Sequence, residues 1–210
     1  MAQFFSIHPD NPQPRLIKQA AEMLRNGAVI VYPTDSGYAV GCHLDDKDAV
    51  QRIRQIRGVD DKHLMTLVCR DLSELAKYAR VDNSQFRLLK NNTPGSYTFI
   101  LEATKEVPRR LQHPKRSTVG LRIPDHPVAL ALLEELNEPL LSSTLILPDE
   151  ELPLTDVDEI RERLEKLVDV VIEGGMVGLE PTTVIDLTAA APVLVRKGKG
   201  ETAHLGIEEE

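Results

Sequence analysis

Thr34, Asp35, Ser36 and Gly37 place two hydroxyls, a carboxylate and a glycine in consecutive positions. A hydroxyl both donates and accepts a hydrogen bond, whereas a carboxylate only accepts. Such a set can hold a polar small molecule or neutralise a neighbouring cation. Hydroxyls recur at Thr98, at Ser142, Ser143 and Thr144, and at Thr182 and Thr183. Each group lies at the end of an apolar run or just inside one. Threonine favours strands for steric reasons too, so the pattern also fits ordinary strand ends.

A second set is basic. Arg57 and Lys62 flank the polar loop 58–63, and Arg109, Arg110, Lys115 and Arg116 crowd into 109–116. Exposed cations of this kind are mostly solvated. Arg122 and Arg196 differ, because each lies in or beside an apolar strand-like run. A guanidinium there must find a carboxylate, a carbonyl or an anionic ligand, since an unpaired buried charge is costly. Asp35 and Asp186 are the candidate partners for an internal salt bridge.

Other chemistries are missing from the pattern. There is no glycine-rich phosphate loop of the Walker or dinucleotide type and no nucleophile elbow. Histidines 8, 43, 63, 113, 126 and 204 never pair at metal-ligand spacing, so no metal site is expected. His63, alone in a polar loop, reads as a surface residue. Cys42 and Cys69 are far apart, each after an apolar run, which points to buried inert thiols and a reducing, cytoplasmic setting. No basic leader precedes an apolar core, and no apolar run approaches the ~18 residues of a membrane span, so no membrane partner is expected. The net charge of −8 argues against a uniformly basic nucleic-acid surface but leaves room for one basic cleft. With no Trp and 4% aromatics, stacking on a row of rings is poorly supplied.

The elements that must position these residues are legible from periodicity and turn chemistry. The run 28–32 reads as a buried strand stopped by Pro33, and the turn 34–37 leads into a second strand, 38–44. The bland account of this stretch is a hairpin between core strands. The functional one places its hydroxyls at a strand mouth, where open α/β sheets bind ligands. Strands are also expected at 4–7, 64–69, 97–101, 118–123, 140–147 and 168–172, with 183–187 and 193–196 as a closing antiparallel pair. Helices are expected from an Asn11 cap and Pro12 to Asn26, and at 47–57, 72–78, 83–90, 127–136 and 159–166, with a helical turn at 107–111. Helices and strands alternate and then strands cluster, which suggests an α/β mixed sheet covered by helices in one domain, 1–205, with a frayed acidic tail at 206–210.

Five stretches, in order, resemble the blocks of the YrdC-like superfamily: YPTDSGYAVG, TPGSYTFIL, TVGLRIPDHP, PTTVIDL and VLVRKGKG. HPDNPQ, CRDLSEL and KNNTPGSYTFIL are most similar to its YciO branch. The resemblance implies a twisted mixed parallel/antiparallel sheet flanked by helices, with a large concave, positively charged cavity. It implies relation to L-threonylcarbamoyladenylate synthase, a transferase. Members of that kind join threonine, bicarbonate and ATP into threonylcarbamoyl-AMP and pyrophosphate, for modification of tRNA adenosine 37. ATP would be a substrate with Mg²⁺, and tRNA or double-stranded RNA would be partners. Carried onto this chain, Arg57, Lys62 and Thr144 would be catalytic. Thr34, Tyr38, Thr98, Arg122, Ser143 and Arg196 would bind substrate and nucleotide, and Arg109, Arg110, Lys115 and Arg116 would bind RNA phosphates. The chain departs from the pattern at two points. Where active members carry Lys-x-Arg it has Arg57-Gly58-Val59, and where they carry Ser-x-Asn it has Thr144-Leu145-Ile146. Losing a cation and an amide aimed at a transferring phosphoryl group can cost orders of magnitude in rate. The resemblance therefore implies weak or altered activity, or a non-catalytic RNA-binding module.

Overall fold

The computed structural model describes residues 1–207. The chain runs β1 (Gln3–Ser6), α1 (Pro14–Arg25), β2 (Ile30–Pro33), β3 (Tyr38–His43), α2 (Lys47–Arg57), β4 (Thr66–Val68), α3 (Leu72–Tyr78) and α4 (Asn83–Asn92). It continues through β5 (Tyr97–Glu102), a 3-10 turn at Arg109–Leu111, β6 (Thr118–Arg122), α5 (Pro127–Leu136) and β7 (Leu140–Thr144). The last elements are α6 (Val157–Leu164), β8 (Val170–Glu173), β9 (Thr183–Asp186), β10 (Val193–Arg196) and a 3-10 turn at Ala203–Leu205.

All ten strands join one mixed sheet in the order β1-β8-β2-β3-β7-β4-β6-β5-β9-β10. β1–β8, β2–β8, β4–β6 and β5–β9 are parallel pairs, and the other neighbours are antiparallel. Side chains alternate across a strand, and the core divides accordingly. On one face Ile30, Tyr32, Val170 and Ile172 pack under Ile17, Leu24, Leu132 and Leu136 of α1 and α5. On the other, Val29, Val31, Phe99, Leu101 and Leu121 pack with Ile53 of α2, Leu75 of α3, Leu89 of α4 and Ile160 of α6.

Local chemistry explains most boundaries. Asp46, Asp71 and Asp82 cap α2, α3 and α4 through their carboxylates, and Asp82 with Gln85 forms a full capping box. Three expectations shift. α1 starts at Pro14 after Gln13, not at Asn11, because the backbone N–H groups of Asp10 and Asn11 donate to Nδ1 of His8 in a preceding turn. α6 starts at Val157 because Asp156 accepts from the N–H groups of Asp158 and Glu159. β7 ends at Thr144, because Ile146 N–H turns back to Thr144 O, and the expected run to Leu147 leaves the sheet. Both cysteines are buried free thiols, and burial pushes the Cys42 thiol up to about 12. Among the described residues no helix is long and apolar enough to cross a membrane. Ile207 packs against the core, and the rest of the expected frayed tail, 208–210, lies outside the described residues.

Candidate functional site

Strand register builds the site. Tyr32 pairs with Ala39, Ala39 with Thr144, Gly41 with Ser142, and Ser142 with Thr66. Thr66 pairs with Gly120, Val68 with Arg122, Gly120 with Ile100, and Thr98 with Val184. Cross-strand partners share a face, so this row lies on the same face as Ile30 and Tyr32. Over β8, β2 and β3 that face is covered by α1 and α5. Over β4, β6, β5 and β9 it borders a cavity of about 380 Å³ lined by Thr66, Val68, Thr98, Ile100, Gly120 and Val184. The wall also carries Arg57, Arg116, Arg122 and Arg196 with His63 and His113, and no carboxylate. Two of these arginines are paired with carboxylates off the wall, Arg122 with Asp35 and Arg116 with Asp186.

The turn between β2 and β3 forms one rim. Thr34 N–H donates to Gly37 O at 2.9 Å, and the Thr34 hydroxyl donates to the same carbonyl at 2.6 Å while accepting from Ser36 N–H. Gly37 adopts φ 143°, where a side chain would be strained and would approach Gly178 O to 3.2 Å. The hairpin and the site are therefore the same object. Arg122 reaches this turn from β6, pairing with the Asp35 carboxylate and donating to Ser36 Oγ at 2.9 Å. Its Nε is buried without a partner.

Arg57, last residue of α2, donates to Ser143 Oγ. Register places Ser143 opposite Val40, on the α2 face of the sheet. The contact therefore reaches the cavity around the carboxyl end of β7. Burial lowers the pKa of Arg57, whose Nε also lacks a partner. At the far side Arg196 donates to Thr182 O from Nε at 3.1 Å and from Nη2 at 2.8 Å, and to Thr182 Oγ1 at 3.1 Å. The Thr182 and Thr98 hydroxyls are 2.8 Å apart. Arg196 is exposed at the end of edge strand β10, not enclosed in an apolar run as its sequence context suggests, and partial desolvation lowers its pKa as well. Neither Arg57 nor Arg196 has a carboxylate partner among the described residues. Arg116 is held by Asp186 at 2.7 Å and by Thr188 Oγ1.

Of the residues singled out in the sequence, the fold brings Thr34, Tyr38, Arg57, Thr98, Arg116, Arg122, Ser143, Thr144 and Arg196 onto one wall. It does not bring Lys62, Arg109, Arg110 or Lys115 there. Lys62 is exposed in the loop after α2, and its N–H caps the Asp60 carboxylate. Arg109, Arg110 and Lys115 are exposed, and Arg110 donates to Leu44 O at 3.2 Å. Two details differ from the simplest expectation. Tyr38 lines the cavity, but its hydroxyl donates to Gly175 O at 3.3 Å and so ties down the loop after β8. The alternative of an internal partner for Arg122 holds, with Asp35, whereas Asp186 serves Arg116 and not Arg196. His63, read as a surface residue, is half-buried on the cavity wall. A lone histidine carries no spacing signal, and only the fold of the loop 58–65 places it there. Val59 is off the wall, while Ile146 is on it.

The Sua5_yciO_yrdC family model, described as telomere recombination, matches residues 22–198. The chain belongs to this Sua5/YciO/YrdC family. Its family members include the YciO protein of Escherichia coli K12, 62% identical over 96% of this chain and 98% of that protein. The crystal structure of E. coli YciO superposes with a TM-score of 0.93 at 60% identity, covering 98% of this chain and all of that one. The threonylcarbamoyl-AMP synthase of Halorhodospira halophila is 31% identical over 85% of this chain and 93% of its own length. Pyrococcus abyssi Sua5, in a crystal structure with L-threonine, matches with a TM-score of 0.84 at 27% identity, over 93% of this chain and 57% of that one. The mixed sheet flanked by helices is the architecture of these Sua5/YciO structures.

Proposed function

We propose that this family member binds a phosphate-bearing adenine nucleotide in the concave cavity and forms threonylcarbamoyl-AMP weakly or in altered form. The observation that carries this reading is the arginine-lined, carboxylate-free wall, on a fold shared with threonylcarbamoyl-AMP synthases. Adenylate formation joins an oxygen of the carbamate to the α-phosphorus and breaks its bond to the departing pyrophosphate. No protein nucleophile is required. Catalysis is then positioning and charge stabilisation. Arg57 and Arg196 offer guanidinium donors from opposite sides, and the Thr98 and Thr182 hydroxyls offer neutral donors beside the second.

Mg²⁺ would have to arrive on the phosphates. No carboxylate lines the wall, and among the described residues no cluster of three or more His, Cys, Asp or Glu could hold a metal. Hard cations take oxygen ligands, carboxylates foremost, so the protein itself does not fit a resident Mg²⁺.

The test is to supply threonine, bicarbonate and ATP and to measure pyrophosphate and the AMP-containing product. Turnover above that of Arg196→Ala supports the reading. Equal turnover removes the catalytic part, and absence of ATP binding removes the whole. A second reading, a tRNA- or double-stranded-RNA-binding module without catalysis, draws on the exposure of Arg109, Arg110 and Lys115 in solvent, where RNA phosphates could reach them.

A further inference from the structure

We propose that His63 is a proton-linked anion ligand of the cavity, neutral when no anion is bound and protonated when one sits beside Arg57. This rests on the cavity being the nucleotide site. His63 closes the turn after α2, with its N–H donating to Asp60 O at 3.2 Å, and its ring lies on the cavity wall. The other histidines are committed. Nδ1 of His8, His43, His113 and His126 each accepts a backbone N–H, and the His204 ring bonds Asn92. Protonating those Nδ1 atoms would break existing bonds. Among the described residues no hydrogen bond engages the His63 ring, so both of its nitrogens can serve a ligand.

The charges around it set its neutral state. Burial disfavours the imidazolium most, the charges of Arg57 and Arg54 on α2 add to this, and Asp60 of its own loop opposes them. Together these hold its pKa below the ordinary 6.5, with desolvation the largest cause and Arg57 next. Asp61 and Lys62, its neighbours in sequence, are exposed. Leu64, Met65, Thr144, Ile146 and Pro153, which share the cavity wall with it, are uncharged. The carboxylate that favours the imidazolium, Asp60, is off the wall and is outweighed. A bound sulfate or phosphate would supply that charge and reverse the balance. Binding then takes up one proton from solvent, and affinity rises as pH falls between the two pKa values, by up to about tenfold per pH unit.

The experiment is a pH titration of the histidine ring C–H signals of the full chain by NMR. It is run without anion, with sulfate, which carries no proton near neutrality, and with ATP. His63→Gln assigns the signal. The expected result is titration of His63 below the ordinary 6.5 without anion and at higher pH with sulfate. Sulfate affinity should be pH-dependent in the parent chain and flat in both His63→Gln and His63→Lys, with His63→Lys binding more tightly at alkaline pH. An His63 signal unmoved by saturating anion, or pH dependence surviving in His63→Gln, overturns the proposal. Sulfate binding with that response but no ATP binding would leave His63 as an anion ligand and remove the nucleotide reading. Failure of both anions to bind at any pH would remove both.

Discussion

Arg122 on β6 and Asp35 in the β2–β3 turn form an ion pair with side chains only 8% and 9% exposed. The pair joins two elements distant in sequence and gives the turn its position over the cavity. Its Arg also donates to Ser36, so one side chain holds two of the three polar residues of the rim. A desolvated pair of this kind contributes little by existing, but losing one partner leaves a buried charge alone.

Arg122→Ala should therefore cost stability before it reports on any ligand. The expected loss is about 3–5 kcal/mol, the usual range for breaking a buried pair. Urea denaturation measures it. The double variant Asp35→Ala with Arg122→Ala should recover part of the loss, and a double variant no more stable than the single would count against the pairing as the cause.

Arg57→Gln and Arg196→Ala should behave in the opposite way. Each guanidinium contacts neutral oxygens and, among the described residues, no carboxylate, so the loss of stability should be smaller than for Arg122→Ala. Hydrogen bonds to charged groups contribute about 1.5–3 kcal/mol, so ATP affinity by calorimetry should fall about ten- to hundredfold. Unchanged affinity in both would mean the wall does not contact the phosphates.

Val59→Arg with Ile146→Asn should raise pyrophosphate release from threonine, bicarbonate and ATP. An added cation and amide near the reacting phosphate are worth about a hundredfold or more together when correctly aimed. Ile146 already lies on the wall, whereas Val59 is off it, so a long side chain is needed at 59. A double variant with no gain would show that the altered motif is not what limits the rate.

RNA binding through Arg109, Arg110 and Lys115 should fall steeply as salt rises from 50 to 200 mM, by about tenfold or more for three phosphate contacts. Filter binding of a double-stranded RNA across that range is sufficient. An affinity flat in salt would exclude a phosphate-led interaction.

Asp186 gives a pH prediction. Burial would raise its pKa, but the Thr188 and Arg116 hydrogen bonds outweigh this, and the folded value lies below the ordinary 3.8. The folded state thus holds Asp186 ionised more readily than the unfolded chain does. Its contribution is complete above the ordinary value and is lost as pH falls through the lower folded one. Thermal stability of Arg116→Ala should therefore lie below that of the parent at pH 7, and the gap should close toward pH 2.

Much of the chain was legible one element at a time. The caps at Asp46 and Asp82 set helix starts within a few residues, because capping is a bond between near neighbours. The apolar run ending at Pro33 and the polar turn after it read as a hairpin, which the structure shows, with the turn on the rim of the cavity. Errors arose where a local signal had two solutions. Asn11 could cap a helix or turn onto His8, and only the three-dimensional path of 8–13 selects the second.

Residue types and their order belong to the chain alone: hydroxyls at strand ends, arginines beside strand-like runs, and the succession of blocks that marks the Sua5/YciO/YrdC family. Which of them meet was decided by register and sheet order. β7 and β10 stand five places apart in the sheet, about 24 Å if it were flat at ~4.8 Å per strand. Arg57 at β7 and Arg196 at β10 nevertheless line one cavity of about 380 Å³, because the sheet twists and its face beyond α1 and α5 is left open. The same long-range geometry moved His63 from the surface to the wall and left Lys62, its immediate neighbour, in solvent. Adjacent residues in a loop point where the backbone turns them, and nothing in their own chemistry fixes that direction.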